Sequence, residues 1–462
     1  MKTYRFKFEP SLDFLPPEEL RVMQTLILRE HLQFCSQYSP YYKRLFGNRD
    51  WSRFTLDRLP ELPLTEKCDI AKDPEDFQAS PWRDVMDVVF SSGTTGTPCR
   101  IVYTAGDMER LAYNEQCCFA AAGMTPDDKV LLTCTLDRCF VAGMAYYQGV
   151  CRLGASAIRN GLNTLESHAE VIRTLRPSMI VGVPSFLRHL GKHLGERGVS
   201  VDSVRALICI GEPVHDEKFG FSELGGQLRE LWNARIHSTY ASSEIVSSFC
   251  DCTECCGGHL RADLAILEVV DENGNVLPPG ETGEVVITPM QVTGMPLVRF
   301  RTGDISFMTD EPCRCGRFLP RLGPILGRKA QMLKIRGTTL YPQALFSVLD
   351  SSPEVLEYYI VATGHELSDR IEAFVALKEP HSSLEAVSER LKARCRFPLR
   401  KCRSTRRGAG FSQFPASRSV SSTAAKNQNS IFKESGNVQR AIRFYGRGDP
   451  HASRRAPALN GD

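Results

Sequence analysis

Two stretches of the chain carry residue types dense enough to do chemistry. Between residues 91 and 98 the sequence reads Ser91-Ser92-Gly93-Thr94-Thr95-Gly96-Thr97-Pro98. Glycines let backbone N–H groups turn inward and approach an anion closely, and the hydroxyls of Ser92, Thr94, Thr95 and Thr97 add further donors, so phosphate oxygens are the natural guest. No P-loop lysine follows, which disfavours a Walker-type NTPase. The second stretch is Phe249-Cys250-Asp251-Cys252-Thr253-Glu254-Cys255-Cys256-Gly257-Gly258-His259, followed by Cys313-Arg314-Cys315-Gly316. Cys-x-Cys-Gly is a tight knuckle that can present two thiolates to one ion. Cys252 or Cys256, with His259, would complete three sulfur ligands and one nitrogen, a closed tetrahedral set suited to structural zinc with no open position for catalysis.

The flanking elements must place these groups. Val88-Val89-Phe90 reads as a short buried strand running into the Ser/Thr/Gly loop, with Ile101-Val102-Tyr103 as the returning strand. Apolar runs at 130–134, 179–183 and 206–210 alternate with helical stretches at 108–122 and 164–175, which predicts an α/β domain with a largely parallel sheet. From Leu264 the pattern turns to hairpins, with Asn273-Gly274 as a turn between 266–270 and 284–288. Near Gly327-Arg328 a boundary is expected. Beyond it, a helix at 340–350 and strands at 357–363 and 371–377 predict a small α+β domain. The expected division is 1–327, 328–396 and a basic tail, 397–462, without regular structure.

Composition narrows the class. The chain has 462 residues, 42% of them apolar, enough for a proper core. No apolar run reaches the ~18–20 residues of a membrane span, and no secretory h-region is seen, so a cytoplasmic location is expected. The 17 cysteines should then stay reduced, which favours metal or free thiols over disulfides. The tail holds thirteen Lys and Arg against three acids, a balance of +10 that leaves −7 for the rest of a chain whose total is +3. Nucleic-acid binding by that tail is disfavoured, since aromatic residues are sparse in it.

Four motifs recur in an order that resembles the adenylate-forming superfamily of acyl-CoA synthetases, peptide-synthetase adenylation domains and luciferases. They are the loop at 91–98, Tyr240-Ala241-Ser242-Ser243-Glu244, Arg299-Phe300-Arg301-Thr302-Gly303-Asp304, and the hinge-like Gly327-Arg328 with Lys334-Ile335-Arg336-Gly337. Residues 14–396 are most similar to the phenylacetate–CoA ligase branch. The resemblance implies a large adenylation domain with mixed sheets and a small, mobile C-terminal domain. It implies a reaction in which ATP activates a carboxylic acid, aryl or arylacetic, to an acyl-adenylate that passes to coenzyme A, releasing pyrophosphate and AMP. By motif position, Ser92, Gly93, Thr94, Thr95 and Gly96 would cradle the β- and γ-phosphates and Ser243 would lie near the α-phosphate. Glu244 would ligate Mg²⁺, Tyr240 would stack on adenine, Asp304 would bind the ribose hydroxyls, and Arg328 would contact ribose or phosphate. Gly211-Glu212-Pro213 would line the adenine and acyl pockets. Glu244, Thr94 and Arg328 are the expected catalytic residues. Phe140, Val141, Tyr146 and Tyr147 are candidates for the acyl pocket. Relatives in this branch carry a similar Cys/His loop, and their spacing favours Cys252 over Cys256 as the partner of His259, Cys313 and Cys315. The partners implied are the acid, ATP and CoA, with no membrane; a homodimer is compatible.

Two departures bear on activity. The family hinge carries an acid where this chain has Ala330. The family's C-terminal lysine has no clear counterpart; Lys426 and Lys433 are positional candidates only. Loading of a carrier protein, or a catalytically impaired nucleotide-binding homologue, are the alternatives.

Overall fold

The computed structural model describes residues 4–91, 99–331, 333–335, 338–340, 342–363, 370–378, 384–395, 401–404, 428–431 and 440–446. Two compact units divide the chain, Met1–Lys329 and Ala330–Asp462.

The first unit is built on a twelve-stranded mixed sheet. The three apolar runs read from the sequence become the centre of its parallel block, which the unanticipated strands Ser156–Arg159 and Arg235–Ser242 flank, in the order Ser156–Arg159, Lys129–Leu132, Met179–Gly182, Ala206–Ile210 and Arg235–Ser242. The strands at 179–182 and 206–210 are buried throughout, as expected of a parallel sheet covered on both faces. Arg235–Ser242 then turns back antiparallel into Ser247–Asp251, and the sheet continues through Gly258–His259 and Arg321–Leu322 to the hairpins Phe300–Thr309, Thr282–Pro289 and Ala265–Val270. Helix Ala105–Ala121 starts at a capping box in which Thr104 and Asp107 satisfy each other's backbone N–H groups. Helix Pro17–Tyr38 contributes Leu28, Leu32 and Cys35 to a core shared with Phe300, Ile287 and Val102. Among the described residues no helix is long and apolar enough to cross a membrane.

Among the described residues, strand Val85–Ser91 pairs only with Cys99–Thr104, as a two-stranded antiparallel ribbon apart from the main sheet. It is therefore not the fully buried strand its apolar run suggests. Val89 is buried but Phe90 is 47% exposed, and the Phe90 N–H donates to the Cys139 carbonyl at 2.9 Å. A ribbon with one covered face needs only alternate residues apolar.

The second unit forms its core from Leu345, Val348, Leu349, Val355, Tyr358, Ile360, Val375, Val387 and Leu391. Strands Val355–Thr363 and Arg370–Leu377 pair antiparallel. The expectation of an irregular tail after Phe397 needs correction at three places. Lys401–Ser404 pairs parallel with Arg370–Leu377, Arg440–Gly446 pairs with Val355–Thr363, and Gln428–Ile431 pairs with Arg440–Gly446. Open strand edges recruit partners through backbone groups, which a side-chain pattern does not announce. Lys426 and Lys433 lie outside the described residues.

Candidate functional site

The carboxyl ends of the central parallel strands lie side by side, the place where open α/β sheets bind ligands. Gly211 follows strand Ala206–Ile210 at φ +77°, a left-handed turn that favours glycine. Glu212 accepts hydrogen bonds from the Ser185 N–H at 2.8 Å and the Ser185 hydroxyl at 2.9 Å, holding the first turn of helix Pro184–Glu196; Pro213 follows, half-buried. Ser243 and Glu244 follow strand Arg235–Ser242 in the turn to Ser247–Asp251.

Glu244 is buried, at 4% exposure. Its Oε1 lies 2.7 Å from the Lys67 ammonium, and its Oε2 accepts the Ser242 hydroxyl. Burial alone would raise the carboxyl's pKa; the Lys67 cation and these hydrogen bonds more than offset it, and Glu244 is held below the usual range, ionised. Asp304 has the opposite balance. Burial raises it despite the Arg328 guanidinium, whose Nε lies 3.3 Å from Oδ1, and the Tyr240 hydroxyl, which donates to Oδ2 at 2.9 Å. The negative charge of Glu244 adds to the rise and the cation of Lys67 opposes it, so the three groups share one field. Asp304 and Arg328 face each other across a backbone ladder between Phe300–Thr309 and Gly327–Arg328. Tyr240 lies parallel to Phe249, with ring centroids 6.0 Å apart, so one face of its ring is covered by the protein itself.

Ser92, Gly93, Thr94, Thr95 and Gly96 lie outside the described residues, but both ends of their loop are placed. Ser91 is buried, and its hydroxyl has no partner among the described residues. At the other end, the Cys99 thiol is pushed up to about 11, first by burial and then by the charge of Glu244, against the cation of Lys67. Cys99, the first described residue after the loop, therefore lies within the field of Glu244 and Lys67.

Lys67 was not singled out by sequence pattern. It begins the short helix Lys67–Lys72 and is set there by Thr65, whose N–H donates to the Arg299 carbonyl at 3.0 Å and whose carbonyl accepts from the Arg301 N–H at 2.9 Å. The partners are more than 230 residues apart, so no local signal marks the lysine. Of the acyl-pocket candidates, Phe140 is 45% exposed, whereas Tyr146 is buried, its ring 6.0 Å from that of Phe119.

The cysteine–histidine cluster lies elsewhere in the first unit. The ligand atoms of Cys252, His259, Cys313 and Cys315 all fall within 4.8 Å of one another. Cys252 and Cys313 sulfurs are 3.7 Å apart, and Cys315 Sγ is 3.6 Å from His259 Nε2. A tetrahedron with bonds of roughly 2.3 Å to sulfur and 2.0–2.1 Å to nitrogen has edges of about 3.8 and 3.6 Å. His259 is fixed between two strands, opposite Cys250 on one side and Arg321 on the other. The Gly316 N–H closes the knuckle on the Cys313 carbonyl at 2.9 Å. Cys256 also reaches Cys313, at 3.7 Å, but its sulfur takes the Arg321 guanidinium at 2.9 Å and it is not within the compact set of four. Cys255 turns toward His237 Nδ1, 3.5 Å away.

A model of the AMP-binding enzyme family matches residues 47–295. The chain is similar to a phenylacetate–coenzyme A ligase of Thermus thermophilus, 33% identical over 81% of this chain and 85% of that protein. It is also similar to the phenylacetate–coenzyme A ligase of Escherichia coli, 29% identical over 79% and 84%. A solved structure of a 2-hydroxyisobutyryl-CoA ligase in the postadenylation state shares the fold, at 20% identity with a TM-score of 0.77, covering 88% of this chain and 92% of that one.

Proposed function

Because the chain belongs to the AMP-binding enzyme family, as an AMP-forming carboxylate–CoA ligase like the phenylacetate–CoA ligases, we propose that its acid is aryl or arylacetic and that the cleft at Glu244 and Asp304 is where ATP reacts. One observation supports the site assignment: the buried Glu244 meets the Lys67 ammonium at 2.7 Å in the turn that follows the strand from which Tyr240 donates to Asp304 at 2.9 Å.

In the first half-reaction a carboxylate oxygen of the acid bonds to the α-phosphorus of ATP, and the bond to the bridging oxygen of pyrophosphate breaks. In the second, the CoA thiol gives up its proton, its sulfur bonds to the acyl carbon, and AMP leaves. Both reactants of the first step are anions, so the site must offset charge where they meet. Backbone N–H groups and hydroxyls of Ser92, Gly93, Thr94, Thr95 and Gly96 are assigned to the β- and γ-phosphates, and Ser243 to the neighbourhood of the α-phosphate. Lys67 supplies a cation from the first unit, a role that matters because no C-terminal lysine aligns clearly. Asp304, held between Tyr240 and Arg328, accepts the ribose hydroxyls, and Tyr240 is assigned to adenine. Gly211 and Pro213 border that side of the cleft, while Glu212 holds the neighbouring helix.

Magnesium fits at Glu244, which is ionised and already faces a cation at 2.7 Å; when bound it would neutralise phosphate charge. Zinc fits Cys252, His259, Cys313 and Cys315, whose spacing matches a tetrahedral edge, and its contribution there would be structural, clipping the loop after Ser247–Asp251 to the knuckle. The fifteen cysteines whose side chains are described are all free of disulfides, which suits a reducing cytoplasm.

The test is a panel of aryl, arylacetic and aliphatic acids with ATP and Mg²⁺, read as acid-dependent pyrophosphate exchange and, on adding CoA, as acyl-CoA by mass. Aryl or arylacetic acids should give the highest rates. A preference for short aliphatic acids would refute the substrate class, and adenylate that never passes to CoA would refute the acceptor.

A further inference from the structure

Glu244 sits on a turn with an uncommon backbone. Val246, two residues on, has φ +50°, in the left-handed region where a β-branched residue is a genuine outlier. Such strain persists only where the surroundings hold it. Two side chains do so, one on each side of Glu244 and Ile245. The Tyr103 hydroxyl donates to the Ser243 carbonyl at 2.7 Å, and Arg110 Nη1 donates to the Val246 carbonyl. Arg110 is fully buried, and its other donors are spread over three segments: Nη1 and Nη2 to the Ser247 hydroxyl, each at 3.2 Å, Nη2 to the Leu264 carbonyl at 2.6 Å and Nε to the Met290 carbonyl at 2.8 Å. Among the described residues no carboxylate pairs with it directly. A cation removed from water and satisfied only by carbonyls and one hydroxyl is costly, and removing it would orphan several acceptors at once. Only a planar fork reaches all of them together.

Both grips arise from one stretch of chain, strand Cys99–Thr104 and the helix that follows, which emerges directly from the Ser/Thr/Gly loop. We propose that Arg110, seconded by Tyr103, is a positioning residue that clamps the strained Ser243–Val246 turn so that the Glu244 carboxylate stays aimed into the cleft, and that it thereby ties the aim of Glu244 to the segment bearing the phosphate loop. This rests on the assignment of Glu244 made above.

Arg110→Lys keeps the charge and loses the fork. At a temperature where circular dichroism shows the variant folded, its pyrophosphate-exchange kcat should fall about a hundredfold at saturating ATP, as expected for a small misplacement of a reacting group. The Mg²⁺ concentration giving half-maximal rate should rise. Independently of activity, amide hydrogen exchange in peptides covering residues 243–247 should quicken while the rest of the first unit is unchanged. Adding Val246→Gly, which accepts a positive φ without a clamp, should restore at least part of the lost rate. Wild-type exchange kinetics, Mg²⁺ dependence and amide protection in folded Arg110→Lys would overturn the proposal, as would failure of Val246→Gly to restore any rate. If Arg110→Lys does not fold, Tyr103→Phe carries the test: a raised Mg²⁺ requirement with faster exchange at 243–247 supports the clamp, and no change in either refutes it. Glu244→Gln separates the two readings. If that variant exchanges pyrophosphate normally, the assignment of Glu244 is wrong. If it is inactive while the Arg110 and Tyr103 variants behave as wild type, only the clamp is wrong.

Discussion

The Glu244–Asp304 site and the cysteine–histidine cluster are both gathered from distant parts of the chain, yet they solve the burial of polar groups in opposite ways. In the cleft each buried carboxylate already has a protein cation: Lys67 for Glu244 and Arg328 for Asp304. A cation or hydroxyl group of a ligand could take over from such a partner without leaving the carboxylate unpaired. In the cluster the thiols and His259 have chiefly one another, and deprotonated sulfurs at 3.7 Å repel unless an ion sits between them. The first arrangement suits turnover and the second suits permanence. Changes in the cleft should therefore alter chemistry with little effect on stability, and changes in the cluster should do the reverse.

The largest effect is expected from Glu244→Gln, which keeps the size of the side chain and removes its charge. Acid-dependent pyrophosphate exchange should fall about a hundred- to a thousandfold, with the melting temperature near that of the wild type. A large loss of Tm instead would put Glu244 on the structural side of the contrast. Lys67→Met should follow, with an exchange rate lower by about tenfold or more, because Glu244 loses a charge-assisted partner. Equal rates for this variant and the wild type would remove Lys67 from the reaction. Cys313→Ser sharpens the other half. Elemental analysis should show about one zinc per chain in the wild type and far less in the variant, and Tm should drop by more than about 5 °C while the rate per folded molecule holds. Equal metal content in both proteins would refute the zinc site.

The smallest effect lies outside both regions. Glu115 is fully buried beside Ser248, whose hydroxyl donates to it at 2.6 Å, and burial raises its pKa from 4.5 to about 7. Between those values the folded state holds a proton that the unfolded chain releases. Raising the pH through that window therefore costs stability, and none of the loss returns above it. Glu115→Gln should flatten the pH dependence of Tm between 4.5 and 7 and gain a few degrees at pH 8. A pH profile parallel to that of the wild type would show that Glu115 is ionised in the fold.

Much of this was legible in the sequence where function is encoded in contiguous residues. Three of the five parallel strands read as apolar runs, and Tyr240, Glu244 and Asp304 come together because each follows or lies within a sheet strand. Lys67 and Arg110 were invisible for a common reason. Each acts through a partner more than 130 residues away, and a single lysine or arginine in a helix looks like a solvated charge. Strand Val85–Ser91 was misjudged in its burial because apolarity alone does not separate a covered ribbon from a central strand. The paired segments beyond Phe397 escaped notice because their partners supply backbone edges rather than a side-chain pattern. Residues 92–98, the most suggestive by composition, lie outside the described residues.

The first unit ends in two stitches: Arg328 to Asp304, and Lys329, whose ammonium lies 2.9 Å from the buried Glu284 that Arg301 also holds. Any swivel of the chain that starts at Ala330 leaves both basic side chains behind. Arg328 then stays with Asp304, so if that carboxylate holds the ribose as proposed, the grip on the sugar belongs to the first unit alone.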